Sequence, residues 1–204
     1  MATKDNLINC TVNMLITHII NHPDCYTTIA DWYMSFWGKN YPERTNAGWV
    51  SYIGKHTDRL PITLIALDDS TTPPTLIGTA SIRLNGMDNC PSNTAWLSGV
   101  YVPPEHRGKK IATAIIKEAI KVASEQYNQL YLFTRTDGRI YKNLGWQTIS
   151  ETECQESTVS VMRRSLAPKI KWHMYSEKPA KISLEEKTNM AQTNATVYQI
   201  QAKL

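Results

Sequence analysis

Apolar positions along this chain change period several times, and each change marks an element. Val12, Met14 and Ile16 alternate with less apolar neighbours and predict a first strand. From His22-Pro23-Asp24 the period lengthens: Ile29, Trp32, Tyr33, Phe36 and Trp37 make the apolar stripe of a helix that Gly38 ends. Of these, Trp32 is expected in the core. A second helix is predicted over Glu43 to His56. Leu64 to Leu67 and Leu76 to Leu84 read as strands joined by a turn over Asp68 to Pro74, a hairpin with a long loop. Asn85 to Asn93 is a loop, and Trp96 to Val102 is a third strand after the helices.

The strongest helical period begins at Ile111. Ile111, Ile115, Ala119 and Val122 share one face, and Ile116, Ile120 and Ala123 widen it. Leu130 to Phe133 reads as a buried strand. Asp137 to Leu144 is a short helix stopped by Gly145, and Trp146 to Ile149 and Thr158 to Met162 are closing strands. The order β-α-α-β-β-β-α-β-α-β-β predicts one α+β (mixed α/β) domain over residues 1–166. Composition changes after Leu166. Residues 167–204 form a polar, Lys-rich extension in which Pro168 and Pro179 bracket Trp172, Met174 and Tyr175, and Ser183 with Glu186 fits a capping box.

Charge narrows the function classes. The 204 residues carry +4, and the six lysines and three glutamates of 167–204 account for +3 of it. The preceding 166 residues lack the dense basic face of a nucleic-acid binder. No stretch reaches the ~20 apolar residues of a membrane span, and no signal-peptide pattern is seen. Cys10, Cys25, Cys90 and Cys154 are scattered without paired spacing, which argues against a disulfide framework or zinc site and fits a reducing cytoplasm. His18, His22, His56 and His173 have no metal spacing. The expectation is a cytoplasmic protein with no metal, no nucleic-acid partner and no membrane partner.

The chemistry concentrates at VYVPPEHRGKKIATAIIKEA, Val100 to Ala119. A strand (Val100, Tyr101, Val102) enters a basic turn (His106, Arg107, Gly108, Lys109, Lys110) and then a helix. The first amides of a helix have no intrahelical partner and sit at the positive end of its dipole. With a glycine for close approach and cationic side chains, such a turn binds a pyrophosphate.

Arg107-Gly108-Lys109-Lys110-Ile111-Ala112 resembles the Arg/Gln-x-x-Gly-x-Gly/Ala signature of the GNAT acetyltransferase superfamily. LYLFT followed by Tyr141-Lys142-Asn143-Leu144-Gly145-Trp146 resembles a second element of that family, and HPD…ADWYMSFWG resembles the first helix of a bacterial subgroup. The resemblance spans roughly Val12 to Leu166. It departs at Lys110, where the family has glycine; the side chain either points away from the phosphates, at no cost if the backbone stays helical, or reaches round to meet them.

The resemblance implies the GNAT acyl-CoA N-acyltransferase fold, a mostly antiparallel sheet flanked by helices. It further implies transfer of an acetyl group from acetyl-CoA to a primary amine by direct attack. The strand ending at Val102 would pair with the pantetheine arm, and a backbone N–H near Gly99 or Val100 would polarise the thioester carbonyl. The basic turn would hold the pyrophosphate, with Ile111, Ala112 and Thr113 opening the helix. Tyr141 is the candidate donor to the departing sulfur, against a role in packing alone. Asp88 is a candidate base, with a water relay as its rival, and Ser98 lies near the expected carbonyl. Thr134 and Gly138 would face the cofactor, or be ordinary loop residues. Trp37, Glu43 and Arg83 are candidate contacts for the acceptor, a small-molecule or protein amine, in a monomer or homodimer. The alternative is a non-catalytic CoA-binding sensor or interaction module with the same fold.

Overall fold

A computed structural model of the chain describes residues 13–56, 59–87, 93–154 and 157–166. The predicted order of strands and helices is the observed one. Strand β1 (Met14–His18) leads through two short 3-10 turns into α1 (Tyr26–Trp37), followed by α2 (Asn46–Gly54), β2 (Ile62–Asp68), β3 (Thr75–Leu84) and β4 (Ala95–Tyr101). Helix α3 (Ile111–Ala123), β5 (Gln129–Thr134), α4 (Arg139–Lys142), β6 (Gln147–Cys154) and β7 (Ser157–Ser165) complete it. The seven strands lie in the order β1-β2-β3-β4-β5-β7-β6, and every neighbouring pair is antiparallel except β4 and β5. Val12 and the extension 167–204, with its aromatic cluster and capping box, lie outside the described residues.

At β2 both faces of the sheet are covered, and its sequence accordingly lacks a polar side. Leu64 and Ala66 belong to the core under α3, with Ile115, Ile116 and Ala119, whereas Ile65 and Leu67 belong to the core under α1 and α2, with Ile29, Tyr33 and Trp49. A strand buried on two faces reads as a continuous apolar run.

Two local expectations are corrected. Helix α2 starts at Asn46 and not at Glu43, because Tyr41 to Arg44 form a turn (Arg44 N–H to Tyr41 O, 3.0 Å) and Thr45 caps the helix by accepting from Gly48 N–H at 3.1 Å. Gly38 ends α1 as expected, and with φ −53° the chain continues right-handed from it into a 3-10 turn. Trp32 is half-buried and outside the core proper; its ring lies 5.3 Å from that of Tyr101, and Phe36 on the same stripe is 58% exposed.

Candidate active site

The site begins where β4 and β5 part. Their parallel pairing lasts only from Ala95↔Leu130 to Trp96↔Tyr131, after which each strand runs on without the other. On its other side β4 is irregular too. Thr79 pairs with Tyr101 and Ser81 with Ser98, so Gly99 and Val100 together stand opposite Ala80. Two residues against one is a β-bulge, which bends its strand and takes a peptide out of the ladder. Gly99 has φ +58°, and a Cβ there would fall 2.4 Å from the Tyr33 hydroxyl, so a side chain is excluded by both conformation and space. The carboxyl ends of parallel strands at such a divergence are where open sheets bind ligands.

Past the bulge, β4 sorts its side chains to the two faces. Val100 packs against the core under α3. Tyr101 turns to α1, where the rings of Trp32, Phe36 and Trp37 lie 5.3, 5.6 and 6.1 Å from it. Val102 lines a cleft of about 290 Å³ with His106, Arg107, Gly108, Lys110, Ile111, Ala112, Thr113 and Ile140. The cleft thus gathers most of the predicted phosphate turn. Lys109 is not in its lining; it and His106 lie near Asp68 at the end of β2, whose carboxyl is held below its usual range chiefly by Ser70, with these cations adding to it.

Within the turn, Arg107 Nε donates to the Val102 carbonyl at 3.0 Å, which ties the turn to the strand end and leaves the terminal nitrogens of the guanidinium to meet an anion. No side chain caps α3, so its first amides keep their donors for a ligand. The backbone at Lys110 is not helical, contrary to the condition under which its side chain would be free of cost. Lys110 is the N-cap and adopts φ +62°, ψ +15°, a left-handed conformation natural to glycine.

Tyr141 sits on α4, beside the cleft residue Ile140. Its ring packs edge-on to Trp146 at 5.9 Å, and burial pushes its phenol up to about 12. Gly138 opens α4 at φ +66°, and a Cβ there would meet Met162 Sδ at 2.9 Å, a packing reason for glycine independent of any ligand. The Thr134 hydroxyl is taken up by a local turn, bonding Thr136 Oγ1 at 2.9 Å and accepting from Thr136 N–H at 3.1 Å. Ser98 lies just before the bulge, half-buried, opposite Ser81. Trp37 ends α1 edge-on to Tyr33, Glu43 lies in the exposed turn before α2, and Arg83 Nη2 donates to the Gly86 carbonyl at 3.0 Å. Asp88 lies outside the described residues.

Two features escape the sequence reading. Ile140 lines the cleft, which no spacing signals. A set of buried hydroxyls, Thr63, Thr79 and Ser81, faces inward from β2 and β3 at 1%, 0% and 3% exposure. For Thr79 and Ser81 the available signal is a polar residue inside a predicted strand; Thr63 lies just before the predicted strand and carries none. Of the cysteines, Cys25 and Cys154 are free thiols, and burial pushes that of Cys25 up to about 11. Among the described residues no group of three or more His, Cys, Asp or Glu side chains could hold a metal ion, and no helix is long and apolar enough to cross a membrane.

Residues 26–146 match the family model of the Acetyltransferase (GNAT) family. Among solved structures, an aminoglycoside 6'-N-acetyltransferase complexed with coenzyme A superposes with TM-score 0.58 at 17% identity, over 76% of this chain and 98% of its own. A Salmonella typhimurium protein solved with its cofactor acetyl-CoA gives 0.57 at 15%, over 76% and 94%. A ribosomal-protein-S5-alanine acetyltransferase from Vibrio fischeri gives 0.56 at 16%, over 75% and 93%. No curated protein matches the chain in sequence.

Proposed function

The chain belongs to the GNAT acetyltransferase family, and from that premise we propose that it moves the acetyl group of acetyl-CoA to a primary amine by direct attack in a ternary complex. The observation that carries this reading is the run from the Gly99–Val100 bulge through Val102 into the uncapped, basic start of α3. Neighbours of the same fold solved with coenzyme A or acetyl-CoA support the choice of cosubstrate.

In this reading Arg107, Gly108, Lys110 and the amides of Ile111, Ala112 and Thr113 hold the pyrophosphate, with Lys109 adding positive field and His106 beside them. The edge of β4 from Val100 to Val102, unpaired with β5, bonds the amide-bearing arm, and Thr134 and Gly138 flank it. The bulge N–H stabilises the negative charge that develops on the thioester oxygen, and such preorganised donors carry much of an acyl transfer. Positioning of both reactants supplies most of the remainder.

Tyr141 faces the departing sulfur. Its phenol, pushed up to about 12, is a far weaker acid than a thiol near 8.5, so full transfer would be uphill by about 5 kcal/mol. It therefore acts as a hydrogen-bond donor to the forming thiolate. The amine proton leaves through Asp88 or a water relay, with Ser98 beside the carbonyl. Trp37, Glu43 and Arg83 border the acceptor. A lysine acceptor must shed its proton at a cost of about 4.6 kcal/mol at pH 7, an α-amine at about 1.

Calorimetric titration with acetyl-CoA, followed by thiol release across a panel of amines, tests the whole reading. Wild type binds and releases thiol with at least one acceptor. Arg107→Ala weakens acetyl-CoA binding by roughly 1–3 kcal/mol, a lost charge-assisted hydrogen bond, and Tyr141→Phe lowers turnover while binding holds. Binding with no release for any amine would instead support the non-catalytic module.

A further inference from the structure

A line of buried polar side chains crosses the sheet behind the bulge, from the end of α2 to β4. His56, Thr63, Ser81 and Tyr33 are each at most 3% exposed. His56 Nδ1 bonds Thr63 Oγ1, Thr63 Oγ1 lies 2.7 Å from Ser81 Oγ, and Ser81 Oγ lies 3.5 Å from the Tyr33 hydroxyl. Tyr33 donates in turn to the Gly99 carbonyl at 3.4 Å.

The last bond sets the direction of all the others. A carbonyl only accepts, so Tyr33 commits its single proton there, and Ser81 must donate to the phenol oxygen. Thr63 must then donate to Ser81, and the imidazole must donate to Thr63. His56 is therefore the Nδ1–H tautomer; its Nε2 is buried and has no hydrogen-bond partner among the described residues. Groups aligned head to tail polarise one another in a low-dielectric interior. Burial pushes His56 down to about 4, with Arg83 adding to it, and pushes Tyr33 up to about 12, so both ends stay neutral around neutral pH. The Tyr33 ring itself is clamped edge-on by Trp37 and Trp49, at 5.2 and 5.4 Å.

The Gly99 carbonyl and the Val100 N–H belong to one planar peptide and point in opposite directions. Whatever grips the oxygen also aims the hydrogen, and a bond to the oxygen strengthens the N–H as a donor. We propose that Tyr33, backed by Ser81, Thr63 and His56, is a positioning residue that holds the Gly99–Val100 peptide so that its N–H meets the thioester oxygen. The catalytic use of this grip rests on the acetyl-transfer reading; the grip itself does not.

The experiment separates the two. Amide exchange and chemical shift of Val100 are followed by NMR in wild type, Tyr33→Phe, Thr63→Val and Thr63→Ser, alongside kcat, acceptor KM and acetyl-CoA Kd. Tyr33→Phe and Thr63→Val should speed Val100 exchange and lower kcat by about tenfold, the effect of one lost hydrogen bond. Acetyl-CoA Kd should stay within about twofold, since neither residue lines the cleft, and acceptor KM likewise, since Tyr33→Phe keeps the ring that packs on Trp37; Thr63→Ser, which keeps the hydroxyl, should behave as wild type. Val100 exchange unchanged in both Tyr33→Phe and Thr63→Val, in an active enzyme, overturns the grip and leaves the transfer reading standing. A wild type that turns over no amine while Val100 still responds overturns the transfer reading and leaves the grip.

Discussion

Lys110 holds a backbone conformation that costs an L-residue about 1–2 kcal/mol, and it does so where the basic turn becomes α3, at φ +62°. The side chain must contribute something that glycine would not, and a cation lining the cleft is the evident candidate. Lys110→Gly relieves the strain and gives back part of the gain as extra freedom of the unfolded chain. Stability should rise by about 0.5–1 kcal/mol in urea titration, while acetyl-CoA affinity falls about three- to tenfold for the lost charge. Lys110→Ala is the control: it loses the charge and keeps the strain, so affinity falls without any gain in stability. At this scale the sequence shows which residue is out of place but not what its backbone does. Lysine at a glycine position is compatible with a helical or a left-handed turn, and only the chain's path from Pro104 into α3 decides between them.

Among the elements, the proposed reading asks most of β4. Its bulge separates a regular antiparallel half, paired with β3, from an end where Val100 packs under α3, Tyr101 meets the aromatic cluster of α1 and Val102, just beyond the strand, lines the cleft. Gly99 makes that division possible. Gly99→Ala would place a methyl 2.4 Å from the Tyr33 hydroxyl at φ +58°, and should destabilise the fold by about 2–3 kcal/mol through combined strain and steric conflict. In the proposed reading acetyl transfer falls further than this loss of stability explains, while acetyl-CoA binding, which that reading rests mainly on the turn beyond Val102, is largely kept; kcat and calorimetric Kd measured below the variant's unfolding transition check it. The existence of β4 and the bend into the turn are legible from Trp96 to Val102 and the two prolines. The bulge is not, because it is a property of register: Gly99 becomes special only once Ser98 faces Ser81 and Tyr101 faces Thr79. The same holds for Trp32, whose place on the apolar stripe predicts burial, and which is half-buried against the α1–α2 core with its ring beside that of Tyr101.

For the molecule as a whole, the period of the apolar positions specifies the order of strands and helices, since most strands bury one or both faces and the longer helices one stripe, the edge strand β6 being exposed along nearly its whole length. Two-faced burial leaves no cheap place for polar groups, and the sheet nevertheless encloses His56 at 2% exposure. This has a thermodynamic consequence that can be measured. An unfolded histidine takes up a proton near pH 6.5, whereas burial holds folded His56 down to about 4. Between those values the unfolded chain binds a proton that the native state refuses, so the stabilisation is complete above about pH 6.5 and is lost as pH falls toward 4. From pH 7 to pH 5 the urea-derived stability should drop by about 2 kcal/mol for this one group. Asp68 and Asp137, held below their usual carboxylate range by Ser70 and by the Arg139 N–H respectively, lose their contributions only at more acid pH and leave this window to the imidazole. His56→Asn keeps a donor toward Thr63 but cannot titrate, so its stability should be nearly flat from pH 7 to 5. Equal slopes in wild type and His56→Asn would mean that the imidazole is not held neutral, and that the polar line behind the bulge does not end in a buried, uncharged histidine.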